Sequence, residues 1–85
     1  MVEDIDVSKF NIYKFIVEEL GKEDKEVVIP SPFGGSAIRE WRCGCIVVRR
    51  IEYDFVTLKA VMKDSYQACE KHKYIDEKIR KLLGH

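Results

Sequence analysis

The three cysteines of this chain fall in two short segments, and a histidine completes the second: Cys43-Gly44-Cys45, then Cys69-Glu70-Lys71-His72. Three thiols cannot close a disulfide set within one chain, and cysteines this closely spaced in an intracellular protein more often bind metal. Zinc takes four tetrahedral ligands from thiolate sulfur and imidazole nitrogen, and the two pairs supply four such groups. Any fold of this chain that holds such an ion must bring together two segments that lie 23 residues apart.

The local spacing says how each pair can converge. If Cys43 and Cys45 lie on a strand, both side chains point to one face, because strand side chains alternate. Gly44 then points the other way and permits a local bend. If Cys69 and His72 lie on a helix, three residues apart, they occupy neighbouring positions of one face, with Cys69 in a first turn whose dipole favours its thiolate. His85 is the alternative fourth ligand, although a chain terminus is prone to fray. The plainer alternative is that the cysteines are small buried hydrophobes and His72 a helix-edge residue. Four protein ligands would complete the shell of a structural zinc, whereas a catalytic zinc keeps a position for water.

Two ligands from a hairpin and two from a following helix make the arrangement similar, in outline, to a ββα zinc finger over about residues 41–83. It departs from that finger in every spacing, so the resemblance implies a structural metal and carries over no DNA-reading residue.

Eighty-five residues make one small domain, 1–85, whose modest core gains from a metal or a partner. Residues 1–10 lack a charged start followed by an apolar run, and no stretch reaches the roughly 20 apolar residues of a membrane span. A cytoplasmic location is therefore expected. Charge is balanced overall but not along the chain. Residues 1–30 hold eight acids and four bases, a net of −4, and residues 31–85 hold seven acids and eleven bases, a net of +4.

Periodicity and punctuation predict the elements. Residues 1–7 read as a loose acidic start. Ser8 caps a helix to Leu20, with Phe10, Tyr13, Val17 and Leu20 on one face, Ile16 alongside, and Gly21 at its end. Glu26–Ile29 is a short strand, and Pro30–Ser36 a loop whose glycines lack the lysine and spacing of a phosphate-binding loop. Ala37–Arg50 reads as one long strand, 51–55 as a weakly signalled turn, and Val56–Met62 as a second strand, paired antiparallel. Asp64 or Ser65 caps a helix over 66–83, with Ala68, His72, Ile75, Ile79 and Leu82 in one stripe and Gly84 as its stop. The fold class is α+β: an N-terminal helix, a small antiparallel sheet of two to three strands, and a C-terminal helix pinned by structural Zn2+.

Arg39, Arg42, Arg49 and Arg50 cluster around Trp41. Arginine beside an aromatic can grip single-stranded nucleic acid, although charged runs are usually solvated faces and Trp41 can instead cover the zinc site. Tyr53, Phe55 and Tyr66 are expected in the core, with Phe33 the more exposed aromatic. No catalytic set is legible. The chain reads as a zinc module binding a macromolecule, nucleic acid slightly ahead of protein, with self-association through the sheet edge as one form of the latter. The alternative is a small enzyme or subunit with a ligand site at Pro30–Ser36.

Overall fold

A computed structural model describes residues 2–32 and 34–84. Five strands form one antiparallel sheet: β1 (Val2–Asp6), β2 (Lys25–Ser31), β3 (Gly34–Glu40), β4 (Ile46–Asp54) and β5 (Lys59–Gln67), in the order β1-β5-β4-β3-β2. Helix α1 (Ile12–Leu20) joins β1 to β2, and a 3₁₀ turn (Glu70–His72) leads from β5 into α2 (Lys73–Leu82). The class is α+β, but the sheet has five strands rather than two or three, and a strand precedes the first helix.

The acidic start is that strand. Ile5 pairs with Asp64 and Asp6 with Lys63, which makes residues 2–6 an edge of the sheet. Asp6 then turns the chain, its carboxylate accepting hydrogen bonds from the Ser8 N–H (2.9 Å) and Ser8 hydroxyl (2.7 Å). Those bonds hold the Asp6 carboxyl below its ordinary range. With Ser8 occupied there, Asn11 caps α1, its side-chain oxygen accepting from Lys14 N–H at 3.0 Å. Gly21 ends α1 as expected, at φ +83° with its N–H on the Val17 carbonyl.

The long expected strand 37–50 is two strands with a reversal at Trp41–Cys45. There the Trp41 N–H bonds to the Cys45 carbonyl and the Gly44 N–H to the Trp41 carbonyl, both at 2.9 Å. Gly44 sits at φ +107°, a conformation that side chains resist. Pro30 and Ser31 belong to β2, and residues 32–33 alone separate it from β3. Proline is tolerated because β2 is an edge strand. Gly34 is needed by close packing: a Cβ there would lie 2.2 Å from the Ile51 carbonyl oxygen. The β4–β5 turn spans Phe55–Leu58, later than expected, because the Asp54 side chain accepts from the Val56 and Thr57 N–H groups. β5 consequently runs to Gln67, and Asp64 and Ser65 are strand residues, not helix caps.

Both helices pack on one face of the sheet. Ile12 and Ile16 of α1, Ile75 and Ile79 of α2, and Val47, Tyr66, Trp41 and Cys45 form a single buried cluster. Leu82 is exposed and Leu83 packs in its place. A Lys78–Glu19 ion pair of 3.0 Å links the two helices. Tyr66 fulfils its expected core place, whereas Tyr53 and Phe55 are exposed beyond the helices. No helix among the described residues is long and apolar enough to cross a membrane.

Candidate metal centre

The two ligand pairs come from two turns at the same end of the sheet. Glu40, Ile46 and Gln67 are neighbours in register on β3, β4 and β5. The chain leaving Glu40 and entering Ile46 carries Cys43 and Cys45, and the chain leaving Gln67 carries Cys69 and His72. Strand register thus holds the two segments side by side.

Neither pair has the expected local structure. Cys43 and Cys45 sit in the reversal between β3 and β4, not along a strand, because the positive φ of Gly44 turns the backbone there. Cys69 lies outside any α-helix. It is extended, at φ −76° and ψ 172°, and caps the short 3₁₀ turn, with His72 N–H donating to its carbonyl at 3.1 Å. Three residues per turn stack positions i and i+3, so the 3₁₀ turn brings His72 directly beside Cys69. The α2 dipole therefore starts after His72 and does not act from Cys69's own turn.

The four ligand atoms all lie within 4.8 Å of one another. Cys45 Sγ is 3.5 Å from Cys69 Sγ and 3.6 Å from His72 Nδ1, and Cys69 Sγ is 3.0 Å from His72 Nδ1. A tetrahedron with metal–sulfur bonds near 2.3 Å and metal–nitrogen bonds near 2.0 Å has edges of about 3.5–3.8 Å. The four groups could hold a metal ion, and the two distances from Cys45 Sγ match such edges. Cys43 is exposed, Cys45 is fully buried, and Cys69 and His72 are half-buried, so the centre closes over the end of the core.

The surroundings favour thiolate unequally. Burial pushes the Cys45 thiol up to about 11, although the Cys69 N–H (3.4 Å) and the Tyr66 hydroxyl (3.2 Å) both approach its sulfur. Burial also acts to raise Cys69, but hydrogen bonds with His72, Cys45 and Cys43 outweigh it and bring that thiol down to about 6. Tyr66 is raised chiefly by burial and then by its bond to Cys45. It is the residue beside the site that spacing alone does not reveal. Its signal is register: Tyr66 pairs with Val47, two residues after Cys45. His85 lies outside the described residues, as does Phe33.

Cys43 and Cys45 come from a hairpin turn, as in the outline of a ββα finger, but Cys69 and His72 precede α2 instead of lying on it. No protein-family model matches the chain, and comparison with curated proteins and with solved structures found no match.

Arg42 directly precedes Cys43, and each of the four arginines has an acidic neighbour of its own. Arg39 bonds Glu26 at 2.9 Å and lies 3.8 Å from Glu23. Arg49 is locked to Asp64 at 2.8 Å. Arg50 pairs with Asp4, and Arg42, 92% exposed, lies 4.0 Å from Asp24. Trp41 is buried among the helices and donates its indole N–H to the Gly21 carbonyl at 2.9 Å. Tyr13 lies between two of them, with Arg39 4.2 Å and Arg49 5.6 Å from its ring, while its hydroxyl donates to Glu23 at 2.8 Å, which raises Tyr13.

Proposed function

We propose that the chain is a non-catalytic structural-zinc module that acts by contact with a protein partner. The observation that carries the metal reading is the convergence of three sulfurs and one nitrogen within 4.8 Å. Thiolate-rich tetrahedral sites select zinc over magnesium, calcium or manganese. A shell filled by Cys43, Cys45, Cys69 and His72 leaves no place for substrate or an activated water. The ion would staple the β3–β4 turn to the start of α2, which supports a structural role in so small a core.

Protein is favoured over nucleic acid by the carboxylate beside each arginine of the basic cluster. A pairing acid must be displaced before phosphate can replace it. Exposed Arg42 and half-exposed Arg50 carry what remains of the nucleic-acid reading, together with the net charge of residues 31–85. A ligand-binding enzyme finds less support at Pro30–Ser36, where the neighbouring groove is apolar and its two arginines are already paired.

Elemental analysis of protein purified without chelator should give one zinc per chain, and cobalt substitution should give the visible absorption of a tetrahedral sulfur-rich site. Cys43→Ser, Cys69→Ser and His72→Ala should each weaken metal binding, and His85→Ala should not. Absence of metal, with no uptake on titration, would overturn the zinc reading. A salt-sensitive mobility shift with RNA or DNA that Arg42→Ala weakens would replace protein with nucleic acid as the partner.

A further inference from the structure

The helices are shorter than the sheet they cover. Nine residues of α1 and ten of α2 span about 14–15 Å at 1.5 Å per residue. Nine residues of β4 or β5 span about 30 Å. Both helices sit toward the metal-bearing end, where Val47 and Tyr66 are buried. At the opposite end every residue from Ile51 to Ala60 is exposed, as is all of β2.

The face that meets the helices nevertheless stays apolar beyond them. Strand alternation and register carry it from Val47, past the Arg49–Asp64 pair, to Ile51 and Met62, then to Tyr53 and Ala60. Across β3 and β2 it continues through Ala37 and Gly35 to Val28 and Pro30. Glu52, Asp54, Lys59 and Lys63 fall on the opposite face by the same alternation, and the charges that remain on this one, Arg49 with Asp64 and Arg39 with Glu26, are paired. Half of the core-forming face is thus written as core and left bare.

We propose that this bare apolar end is a homodimer interface, covered by the same end of a second copy. Its shape supplies both halves of a reciprocal contact. A groove of about 280 Å³ lies among Val28, Pro30, Gly35, Ala37 and Ile51, with the paired Arg39 and Arg49 at its side, and a second hollow continues it along Ile51, Tyr53 and Ala60 to Phe55. Beside it the β4–β5 turn projects Phe55, Val56 and Leu58. A two-fold axis seats each turn in the other copy's groove and closes the assembly.

Area and charge favour this occupant. Val28, Ile51, Tyr53, Phe55, Val56 and Leu58 are 39–92% exposed. Together they offer on the order of 600 Å² if each carries about 150–200 Å² when free. That reaches the upper end of the largest apolar patch on a typical monomer, and two copies approach the roughly 1,200 Å² at which stable interfaces begin. The two arginines that line the groove are each held by a carboxylate of the same face, Arg39 by Glu26 and Arg49 by Asp64, so little unpaired charge faces a second copy across a two-fold axis.

Leu58 adds an independent sign. It occupies the left-handed region at φ +58° and is 71% exposed. Glycine or asparagine is at ease there, and a leucine is not. The turn would form better without it, and burial of its side chain against a second copy would offset that cost.

The inference deepens the protein-contact reading and is independent of zinc, which lies at the other end of the sheet. Sedimentation equilibrium of the full metal-loaded chain at about 100 μM should report a dimer. Leu58→Asn and Val56→Lys should each weaken dimerisation at least about tenfold. Leu58→Asn relieves the turn, so at concentrations where both proteins are monomeric it should melt no lower than the parent. A monomeric parent, or a dimer that either variant leaves unchanged, overturns the proposal. A monomer that instead floats with neutral phosphatidylcholine vesicles would assign the face to lipid and overturn it equally. Parallel metal analysis separates the two readings, because a zinc-free dimer would sink the zinc site and leave this interface standing.

Discussion

Arg49 and Asp64 face each other across β4 and β5, joined by two hydrogen bonds of 2.8 and 2.9 Å, with the aspartate wholly out of contact with solvent. The pair also holds α1: Arg49 donates to Asn11 Oδ1 at 3.0 Å, and the Tyr13 N–H points at Asp64 at 3.4 Å. The bond to Asp64 raises the Arg49 guanidinium despite its burial. Removing one partner strands a buried charge. Arg49→Ala should therefore cost about 3–5 kcal/mol, while Arg49→Met with Asp64→Leu should recover most of that loss. Denaturant unfolding of both proteins checks this. A double variant no more stable than Arg49→Ala would mean that the pair contributes more than mutual neutralisation.

Asn11 serves two structures at once, accepting from Lys14 N–H as the helix cap and from Arg49 as part of the buried network. Asn11→Ala should cost at least the roughly 1 kcal/mol of a lost cap. Ser8→Ala removes only an exposed bond to Asp6 and should stay within about 0.5 kcal/mol of the parent. Equal effects of the two substitutions in thermal melts would move the cap back to Ser8.

The legible parts of the fold were those with a local cause. Gly21 and Gly84 each end a helix at positive φ, as the punctuation implies. The candidate set Cys43, Cys45, Cys69 and His72 is suggested by spacing, and the fold brings these four side chains together as a group that could hold a metal ion. What the sequence hid depends on contacts distant along the chain. Residues 2–6 look too acidic for a strand, and become one because β5 offers an edge and Arg50 offers Asp4 a partner. Asp64 followed by Gln67 imitates a capping box, yet Arg49, fifteen residues earlier, claims the carboxylate. The stretch 37–50 reads as a single strand because no proline interrupts it, yet β3 ends at Glu40 and β4 begins at Ile46. Only Gly44 marks the reversal, and one glycine reads equally well as a bulge.

That glycine gives a prediction specific to the metal turn. At φ +107°, an added Cβ is strained and would lie 3.4 Å from the Cys69 side chain. Gly44→Ala should cost more than about 1 kcal/mol and weaken metal binding as well. Gly21→Ala, at φ +83° with open space around it, carries the backbone strain alone. Its metal affinity should match the parent. Isothermal titration of both variants with zinc against a competing chelator makes the comparison, and equal affinities would detach Gly44 from the site.

Metal affinity should depend on pH in two regimes, because the ion binds thiolate and each protonated sulfur must release its proton. Cys45, held up to about 11 by burial, surrenders one proton on binding throughout the physiological range. Cys69, brought down to about 6, is already thiolate at neutral pH and contributes a further proton only under acid conditions. The sign follows directly: protons compete with metal, so affinity and the stability it confers rise with pH. The logarithm of affinity should climb by at least about one per unit between pH 6 and 9, and by about one more per unit below 6. Chelator competition at a series of pH values reads both slopes. A single slope through pH 6 would remove Cys69 as a separately titrating ligand, and an affinity independent of pH would exclude thiolate ligation altogether.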